Sequence, residues 1–403
     1  MKIPFSPPRI DERTIEAVAE VLRSGWITTG PRVRQFEEML TDYTGCAETV
    51  CLNSASAGLE LALRWFGIGP GDEVIVPAYT YAASANVVLH CGATPVFVDS
   101  RPDFNLDPEA VRRAITPNTK AVMPVDIGGW PCDYDALWEV MLSEDILRSF
   151  RPANDLQHKL GRILMLADAA HSFGALYKGQ RTGLLADITV FSFHAVKNLT
   201  TAEGGAVCLN LPPQFSNSIE AAKLRTTSLH GQSKDAMSKF NSPKWRYDIL
   251  EPGYKCNMMD IQAAIGIVEL ERYAENLARR KVILERYDAA FSHDVRLELP
   301  QWQEGQSSSS YHLYMLRIRG ALESQRDAVI DAIFERGVAV NVHFVPLPMM
   351  THYKEAGYRI DDYPQAYENY STEISLPVYF DLSDEMQDMV IDSFKEALTS
   401  VFG

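Results

Sequence analysis

Residues 48–100 decide the fold, because short apolar runs alternate there with stretches of helical periodicity. The apolar runs are ETVCL (48–52), EVIVP (73–77) and TPVFVDS (94–100), and the helical stretches between them are AGLELALRWFGI (57–68) and YTYAASANVVLHCG (79–92). Strands that alternate with helices are typical of a mostly parallel sheet covered by helices on both faces. The stretch therefore predicts an α/β fold.

The same alternation extends in both directions along the chain. Residues 137–160 exceed a normal helix-to-strand connection, so we interpret them as an insertion at the periphery of the sheet: a helix, a break at a proline and a polar stretch. The other periodic segments are RTIEAVAEVLRS (13–24), VRQFEEMLTDYTG (33–45), PEAVRRAI (108–115), TKAVMPVD (119–126), RILMLADAA (162–170) and ADITVFSF (186–193).

The pattern changes after about residue 215. Residues 258–290 carry one helical pattern, continuous or interrupted, which we expect to link two domains. We predict a large α/β domain over residues 1–250 and, over residues 251–403, the linking helix and a small C-terminal α+β domain. The elements predicted in the small domain are YHLYMLRIRG (311–320, strand), QRDAVIDAIFERG (325–337, helix), VAVNVHFVP (338–346, strand) and DEMQDMVIDSFKEALTSVF (384–402, helix).

Composition argues against several classes of protein. The chain has 403 residues with 53 acidic and 38 basic side chains, so its net charge of −15 does not suit a nucleic-acid-binding surface. No run approaches the roughly 20 apolar residues of a membrane span, and the N-terminal sequence lacks a signal-peptide pattern. None of the six cysteines forms a C-x-x-C pair. We expect a cytoplasmic protein with no metal site, membrane span or nucleic-acid partner.

Three segments carry side chains that suit one cofactor. Residues 53–58 (NSASAG) precede a predicted helix, where free N–H groups and the helix dipole suit a phosphate, although Asn and Ser are also ordinary helix caps. Asp168 ends an apolar strand, where ligands of α/β sheets bind, although Asp also forms turns. Lys197 follows another strand in surroundings that favour a reactive amine, although a single loop lysine is usually at the surface.

Together, these three features match the requirements of pyridoxal 5′-phosphate (PLP). Its phosphate binds at a helix N-terminus, and a carboxylate pairs with the pyridine nitrogen so that the ring withdraws electrons. A lysine forms a Schiff base with its aldehyde. The combination predicts a PLP enzyme much more strongly than any one segment does.

The chain also resembles the DegT/DnrJ/EryC1/StrS family of sugar aminotransferases, which have the fold-type I PLP-dependent architecture. The resemblance covers nearly the whole chain and implies a mostly parallel, seven-stranded-type sheet between helices, plus the small C-terminal α+β domain. It is greatest to enzymes that aminate C4 of UDP-linked 4-keto sugars. The matching segments are SGWITTGP (24–31), NSASAGLELAL (53–63), GDEVIVPAYTY (71–81), DAAHSFGA (168–175), FSFHAVKNLTTAEGG (191–205), EPGYKCNMMDIQAAI (251–265) and NVHFVPLP (341–348).

The resemblance implies roles for individual residues. Lys197 would be the catalytic residue, which binds PLP and moves protons as the cofactor passes through its pyridoxamine form. Asp168 would bind the pyridine nitrogen, and His171 would lie near the ring and its phenolic oxygen. The other implied cofactor-binding residues are Ala55, Ser56 and Ser192 at the phosphate, Tyr81 on the ring face and Asn257 at the cofactor of the neighbouring subunit.

A shared site of this kind implies a homodimer. Trp26, Thr28, Thr29, Gly30 and His343 would lie near the substrate. Two of the implied residues have another reading: Tyr81 could pack in the core, and His343, which falls on a predicted strand, could be a core histidine.

The implied reaction moves an amino group from L-glutamate to a keto carbon, C4, of a nucleotide-linked 4-keto-6-deoxy sugar. The expected acceptor is a UDP-linked N-acetylhexosamine, used for surface glycan biosynthesis. A 3-keto acceptor is the first alternative. A sugar dehydratase that uses pyridoxamine phosphate is disfavoured because those relatives replace the lysine with histidine, and a non-catalytic PLP-binding protein is disfavoured because Asp168, His171 and Lys197 are all present.

Overall fold

The computed structural model describes residues 2–234 and 246–403. A seven-stranded sheet forms the centre of its larger, N-terminal part. The strands are β1 (Glu48–Leu52), β2 (Glu73–Pro77), β3 (Thr94–Val98), β4 (Thr119–Val122), β5 (Leu164–Asp168), β6 (Leu176–Tyr177), β7 (Gln180–Arg181), β8 (Ile188–Ser192), β9 (Gly205–Leu209), β10 (Leu297–Glu298), β11 (Gln303–Glu304), β12 (Ser307–Ser308), β13 (Tyr314–Ile318) and β14 (Glu373–Leu376).

Helices cover both faces of this sheet and build much of the C-terminal part. They are α1 (Glu12–Ser24), α2 (Pro31–Thr44), α3 (Ala55–Trp65), α4 (Ala82–His90), α5 (Pro108–Ala114), α6 (Tyr134–Met141), α7 (Glu144–Ser149), α8 (Asp155–Leu160), α9 (Asn217–Thr227), α10 (Asp260–Glu271), α11 (Tyr273–Phe291), α12 (Glu323–Glu335), α13 (Thr351–Glu355), α14 (Pro364–Thr372) and α15 (Asp384–Phe402). No helix among the described residues is long and apolar enough to cross a membrane.

The strand order of the large sheet is β3-β2-β4-β5-β8-β9-β1, and β9 alone runs against its neighbours. The predicted α/β fold with a mostly parallel sheet is therefore confirmed. Parallel strands end at a common edge, so the loops after β1, β2, β5 and β8 lie together there. Because β9 is antiparallel, it starts at that same edge, with Gly205 beside Ser192 of β8.

The C-terminal part has a core of its own, built on the antiparallel sheet β10-β13-β14 and helices α11, α12 and α15. Tyr287, Tyr314 and Phe394 are completely buried in it. Ile3 joins this core from the other end of the chain, because its backbone pairs with that of Gly337 and Ala339. The N-terminal segment thus crosses to the C-terminal core, while the boundary near residue 250 stays a prediction.

Several predicted elements differ from the structure in detail. The helical pattern of residues 258–290 is interrupted, since α10 ends at Glu271 and α11 begins at Tyr273 with Arg272 between them in a non-helical conformation. The predicted strand 338–346 is wrong: the segment makes only isolated bridges, at Val338 and Asn341. Its backbone bonds go elsewhere, as His343 donates its N–H to the carboxylate of Glu373. Strand β14, which this segment touches, was not predicted.

The insertion at residues 137–160 contains more helix than its sequence predicts. The polar stretch forms α8, which begins at an Asn154 cap and ends at Gly161 in a left-handed conformation. The side-chain amides of Asn154 and Gln157 both donate to the carbonyl of Phe66, each at 3.1 Å. Gln157 is completely buried. The insertion therefore binds the C-terminal end of α3.

The N-terminus of α2 is capped by a side chain from a distant element. Its N-cap residue is Gly30, which has no side chain to offer. The buried carboxylate of Asp260, the first residue of α10, instead accepts hydrogen bonds from Arg32 N at 3.1 Å and Val33 N at 3.0 Å. This carboxylate fixes the loop that leads into α2 against α10.

Replacing Asp260 by alanine leaves these two helix-end amides without their acceptor. We expect the Asp260→Ala variant to lose about 1–2 kcal/mol of the free energy of unfolding, measured by urea denaturation. Asp361→Ala, which removes an exposed carboxylate, serves as the control and should stay close to the wild type. Equal stability of the two variants would contradict the role of Asp260 as a cap.

Candidate active site

The carboxyl edge of the sheet encloses a cavity of about 590 Å³. It lies where the loops after β1, β2, β5 and β8 meet, and residues 341–344 close one side. The sequence-predicted residues that line it are Ala55, Ser56, Tyr81, Asp168, His171, Ser192, Lys197 and His343. Side chains spread over nearly 290 positions thus meet in one place.

The N-terminus of α3 forms one end of this cavity. Ser54 is the cap of the helix and accepts the N–H of Ala57 at 3.1 Å, while Ser56 is exposed. The first amides of a helix have no intrahelical acceptor, and the helix dipole makes this end positive. Gly205 approaches so closely that an added Cβ would lie 2.5 Å from Ala55 N. The arrangement is suited to an anion.

Asp168 is a buried carboxylate held at the end of β5. Its Oδ2 accepts a hydrogen bond from the Ser84 hydroxyl at 2.8 Å, and its Oδ1 accepts the N–H of Ala170 at 3.2 Å. Burial raises the pKa of the carboxyl, whereas these two bonds and the nearby Lys197 oppose the rise. A cationic ring nitrogen in the cavity would stabilise the ionised form.

Lys197 lies in the loop after β8, and its own N–H donates to the carbonyl of His194. Removal of water lowers the pKa of the Lys197 ammonium to about 8, although the attraction of Asp168 acts in the opposite direction. A lysine with such a pKa is partly neutral near physiological pH, as a nucleophilic amine must be. The same neutral amine can accept a proton.

Four histidines line the cavity with Lys197, and burial and neighbouring cationic groups lower the pKa of three of them, His171, His312 and His343. Nδ1 of His171 accepts the N–H of Gly128 at 3.2 Å, so the neutral ring carries its proton on Nε2. His312 lies 4.5 Å from His171 between ring centroids and contacts Asn198 Oδ1 through Nδ1 at 2.8 Å. These three imidazoles are therefore neutral beside the amine of Lys197.

The remaining predicted residues gather elsewhere. Thr29, Gly30 and Asn257 line a second cavity of about 500 Å³, where the Asn257 amide donates to Thr29 Oγ1 at 2.6 Å. Trp26 Nε1 donates to the carbonyl of Thr29 at 3.1 Å, and the carbonyl of Thr28 accepts the N–H of Asp260. The structure thus brings the loop 26–30 together with Asn257, apart from Lys197 of the same chain.

Sequence reasoning missed several residues at the main cavity. Ser84, which donates to Asp168, stands three positions after Tyr81 in a predicted helix, and no local signal separates it from a core serine. His312 follows a serine run and precedes an apolar strand, so its contacts with Asn198 and His171 reveal it rather than its sequence position. Other lining residues that the sequence analysis did not assign to the site include Phe5, Ser6, Thr80, Asn341 and Phe344.

Tyr81 and His343 both line the main cavity, and neither is buried in the core. The side chain of Tyr81 is 64% exposed, and its ring centroid lies 5.8 Å from that of Phe344. The ring of His343 is half-buried and stacks on Phe5 at 5.4 Å. Both side chains are therefore available to a bound molecule, although their roles remain predictions.

These groups fit PLP. The helix end at Ala55 and Ser56 suits the phosphate, the buried Asp168 suits a protonated ring nitrogen, and the amine of Lys197 suits the aldehyde. Gly205 leaves room beside the phosphate site that a larger residue would fill.

Comparison with known proteins also indicates a PLP-dependent enzyme. The DegT/DnrJ/EryC1/StrS aminotransferase family matches residues 8–395. The chain belongs to this family. The spore coat polysaccharide biosynthesis protein SpsC of Bacillus subtilis is 37% identical to this aminotransferase over 399 residues, which are 98% of this chain and 96% of SpsC.

Solved structures support the fold and the cofactor. The PLP form of "Putative sugar aminotransferase Spr1654" of Streptococcus pneumoniae is 45% identical, with a TM-score of 0.95 and complete coverage of both chains. Its pyridoxamine phosphate form also has a TM-score of 0.95, at 46% identity over 99% of this chain and 100% of that chain. The fold is that of fold-type I PLP-dependent enzymes, and PLP is the cofactor of this aminotransferase.

The close approach of Gly205 to α3 makes a prediction about cofactor affinity. In Gly205→Ala, the new Cβ must displace the backbone of Ser54 and Ala55, so we expect PLP to bind roughly tenfold more weakly. Titration of the apoprotein with PLP, followed by absorbance, measures the change. Gly69→Ala is the matched control, because its Cβ would meet nothing within 4 Å. Equal affinity of both variants would show that the phosphate site does not depend on this contact.

Proposed function

We propose that the protein transfers an amino group from L-glutamate to a keto carbon of a nucleotide-linked sugar. The proposed acceptor is a UDP-linked 4-keto-6-deoxy-N-acetylhexosamine, aminated at C4 for surface glycan biosynthesis. The observation that carries the aminotransferase chemistry is the placement of Lys197, Asp168 and the N-terminus of α3 around one cavity, and the lowered pKa of Lys197 supports it. Names of the relatives support the sugar, since Spr1654 is called a sugar aminotransferase and SpsC a polysaccharide biosynthesis protein.

The residues of the cavity divide the work of proton transfer and binding. Bound PLP supplies an electron sink for the carbon that loses or gains a proton. Lys197 Nζ, partly neutral because it is desolvated, accepts a proton from the donor amino acid and later returns one to the sugar carbon. Asp168, fixed by Ser84, keeps the ring nitrogen protonated, and the helix end at Ser56 anchors the phosphate.

His171 orients the cofactor ring in this proposal. Because the N–H of Gly128 donates to Nδ1 of His171, the imidazole presents its Nε2–H as a donor towards the cavity. Tyr81, exposed at the start of α4, would cover one face of the bound cofactor ring.

Two alternatives remain distinct from this proposal. A 3-keto acceptor would use the same chemistry with the sugar in another orientation. A pyridoxamine-phosphate-dependent dehydratase is disfavoured, because Lys197 is present where those relatives have histidine.

We also propose a homodimer with composite active sites. Thr29, Gly30 and Asn257 lie together in the second cavity rather than beside Lys197 of their own chain. In a symmetric dimer, this cluster of one subunit can complete the Lys197 cavity of the other.

Lys197→Ala removes the amine that binds the cofactor and moves the proton. We expect amination of keto sugars to fall at least 10²–10⁴-fold, the range for loss of a general acid-base group. The assay combines glutamate with a panel of 3-keto and 4-keto UDP- and dTDP-sugars, and mass spectrometry with NMR identifies the product. Lys395→Ala, on the exposed face of α15, is the control. Undiminished transamination by Lys197→Ala would refute the mechanism. A 3-amino product would show that the acceptor is the 3-keto sugar of the alternative rather than the 4-keto sugar.

Shared active sites can be tested by complementation. Lys197→Ala and Asn257→Ala homodimers should both be impaired, whereas a mixed dimer contains one site with an intact lysine and an intact asparagine. We therefore expect co-refolded or co-expressed subunits with different tags to recover activity in the purified heterodimer. Recovery of no activity above that of the two parent homodimers would argue against composite sites.

A further inference from the structure

Strand β14 places two polar side chains against the segment that carries His343. Glu373 and Ser375 are two residues apart and so share one face of the strand. Ser375 N donates to the carbonyl of Asn341 at 2.8 Å, and Asn341 N donates to the carbonyl of Ser375 at 3.2 Å. This backbone pair holds His343 opposite the two side chains.

A continuous chain of hydrogen bonds joins the three residues. Oε2 of Glu373 accepts the backbone N–H of His343 at 3.0 Å, and Oε1 is bonded to the Ser375 hydroxyl. The same hydroxyl oxygen lies 2.9 Å from Nδ1 of His343. The imidazole lines the main cavity with Lys197. Within residues 2–234 and 246–403, the one polar contact of its Nε2 is a long one, 3.4 Å, with Asn341 Nδ2.

Glu373 is an unusual residue for its position. It is completely buried, and among residues 2–234 and 246–403 no cationic side chain donates to its carboxylate. The nearby guanidinium of Arg317 is bonded to Asn369 and Glu298, while Arg326 donates to the carbonyls of Glu373 and Tyr370. A buried acid without an ion pair is costly where an apolar residue would pack. Such a cost points to a role.

We propose that Glu373 and Ser375 are positioning residues that set which ring nitrogen of His343 carries the proton. When Glu373 is protonated, it donates to Ser375 Oγ, the hydroxyl donates to Nδ1, and Nε2–H faces the cavity as a donor. When Glu373 is ionised, the hydroxyl donates to Oε1, Nδ1–H donates to the hydroxyl, and Nε2 is an acceptor.

The two states differ by one proton. As Nε2 gives a proton to an oxygen in the cavity, the serine proton moves to Nδ1 and the carboxyl proton moves to Ser375 Oγ. The carboxylate retains the negative charge, and the reverse movement takes a proton from the cavity. No other reactant is needed.

The surroundings favour a change of tautomer over a change of charge. Burial and the nearby Lys197 lower the pKa of His343 to about 3, so the ring stays neutral. Burial raises the pKa of Glu373 to about 8, opposed by the Ser375 and His343 bonds and by Arg326 and Arg317. We call the hydrogen-bonded chain of Glu373, Ser375 and His343 the relay. The other titratable groups that face it are His171, His312 and Tyr79. The hydroxyl of Tyr79 donates to the carbonyl of His343.

One consequence of the relay rests on the proposed function. Amination of a ketone releases its oxygen as water, so that oxygen must be protonated during the reaction. His343 Nε2–H, supplied through Ser375 by Glu373, is placed to give this proton to a sugar bound in the cavity. The relay itself does not depend on this use.

Histidine NMR tests the relay without any activity measurement. In ¹⁵N-histidine-labelled apoprotein, the signal of His343, assigned by its loss in His343→Asn, reports the protonated nitrogen. We expect the wild type to change from the Nε2–H to the Nδ1–H tautomer with a midpoint near pH 8, where Glu373 titrates. Lys197→Ala should keep this transition, which separates it from titration of the lysine.

In two variants of the relay, we expect the pH-dependent tautomer change of the wild type to be lost. In Glu373→Gln, the side-chain amide donates to Ser375 at every pH, so His343 should stay in the Nε2–H form from pH 6 to 10. In Ser375→Ala, the tautomer should no longer follow Glu373. A wild-type tautomer that does not change with pH, or a transition that persists in Glu373→Gln, would overturn the proposal. Thermal melting confirms that each variant is folded.

Kinetics then test the use of the relay. Glu373→Gln and Ser375→Ala should lower kcat/KM for the keto sugar about tenfold, with recovery in Ser375→Thr, which keeps the hydroxyl. The half-reaction with glutamate should change less than about twofold, because it uses Lys197. Wild-type protein that aminates no keto sugar would refute the proposed function, while the NMR result would still decide the relay.

Discussion

Exclusion of water from the carboxyl edge of the parallel sheet governs the chemistry of this aminotransferase. The same desolvation lowers the pKa of Lys197 and raises the pKa of Asp168 and Glu373. Lys197 and Asp168 in the cavity, and Glu373 behind His343, are therefore each moved towards the neutral form. A chain with a net charge of −15 can therefore bind a dianionic cofactor, because helix-end amides and hydroxyl groups supply a local positive potential.

The strongest sequence patterns predicted the fold well, because local periodicity reports burial. α15 spans the predicted residues 384–402, and β1 and β2 also match their predicted ranges. The segment 338–346 has the apolar composition of a strand, but its partner is a carboxylate from β14 rather than a neighbouring ladder. Strand β14 itself has only four residues and begins with a glutamate, so its burial is invisible in the local pattern.

The residues of the candidate site also divide into those that could be predicted from local sequence and those that could not. Asp168 and Lys197 could be predicted because each follows an apolar strand at the sheet edge where ligands bind. Ser84, His312 and Glu373 could not, because their significance comes from contacts with residues more than 25 positions away, namely Asp168, Asn198 and His343. Asp260 is a similar case, since it caps a helix 228 residues earlier in the chain. A tertiary contact made by a single side chain does not appear in the hydrophobic periodicity of the sequence.

The attachment of α8 to the carbonyl of Phe66 has a mechanical consequence for cofactor binding. Helix α3 is roughly 16 Å long at 1.5 Å per residue, with the phosphate-binding end at Ala55 and the α8 contact just beyond Trp65. The helix is thus clamped at both ends, by Gly205 at the front and by Gln157 at the rear. Without α8, the rear of this helix would lose the Asn154 and Gln157 contacts and would be held there by the bonds from Trp65 to Glu220 and from Arg64 to His90.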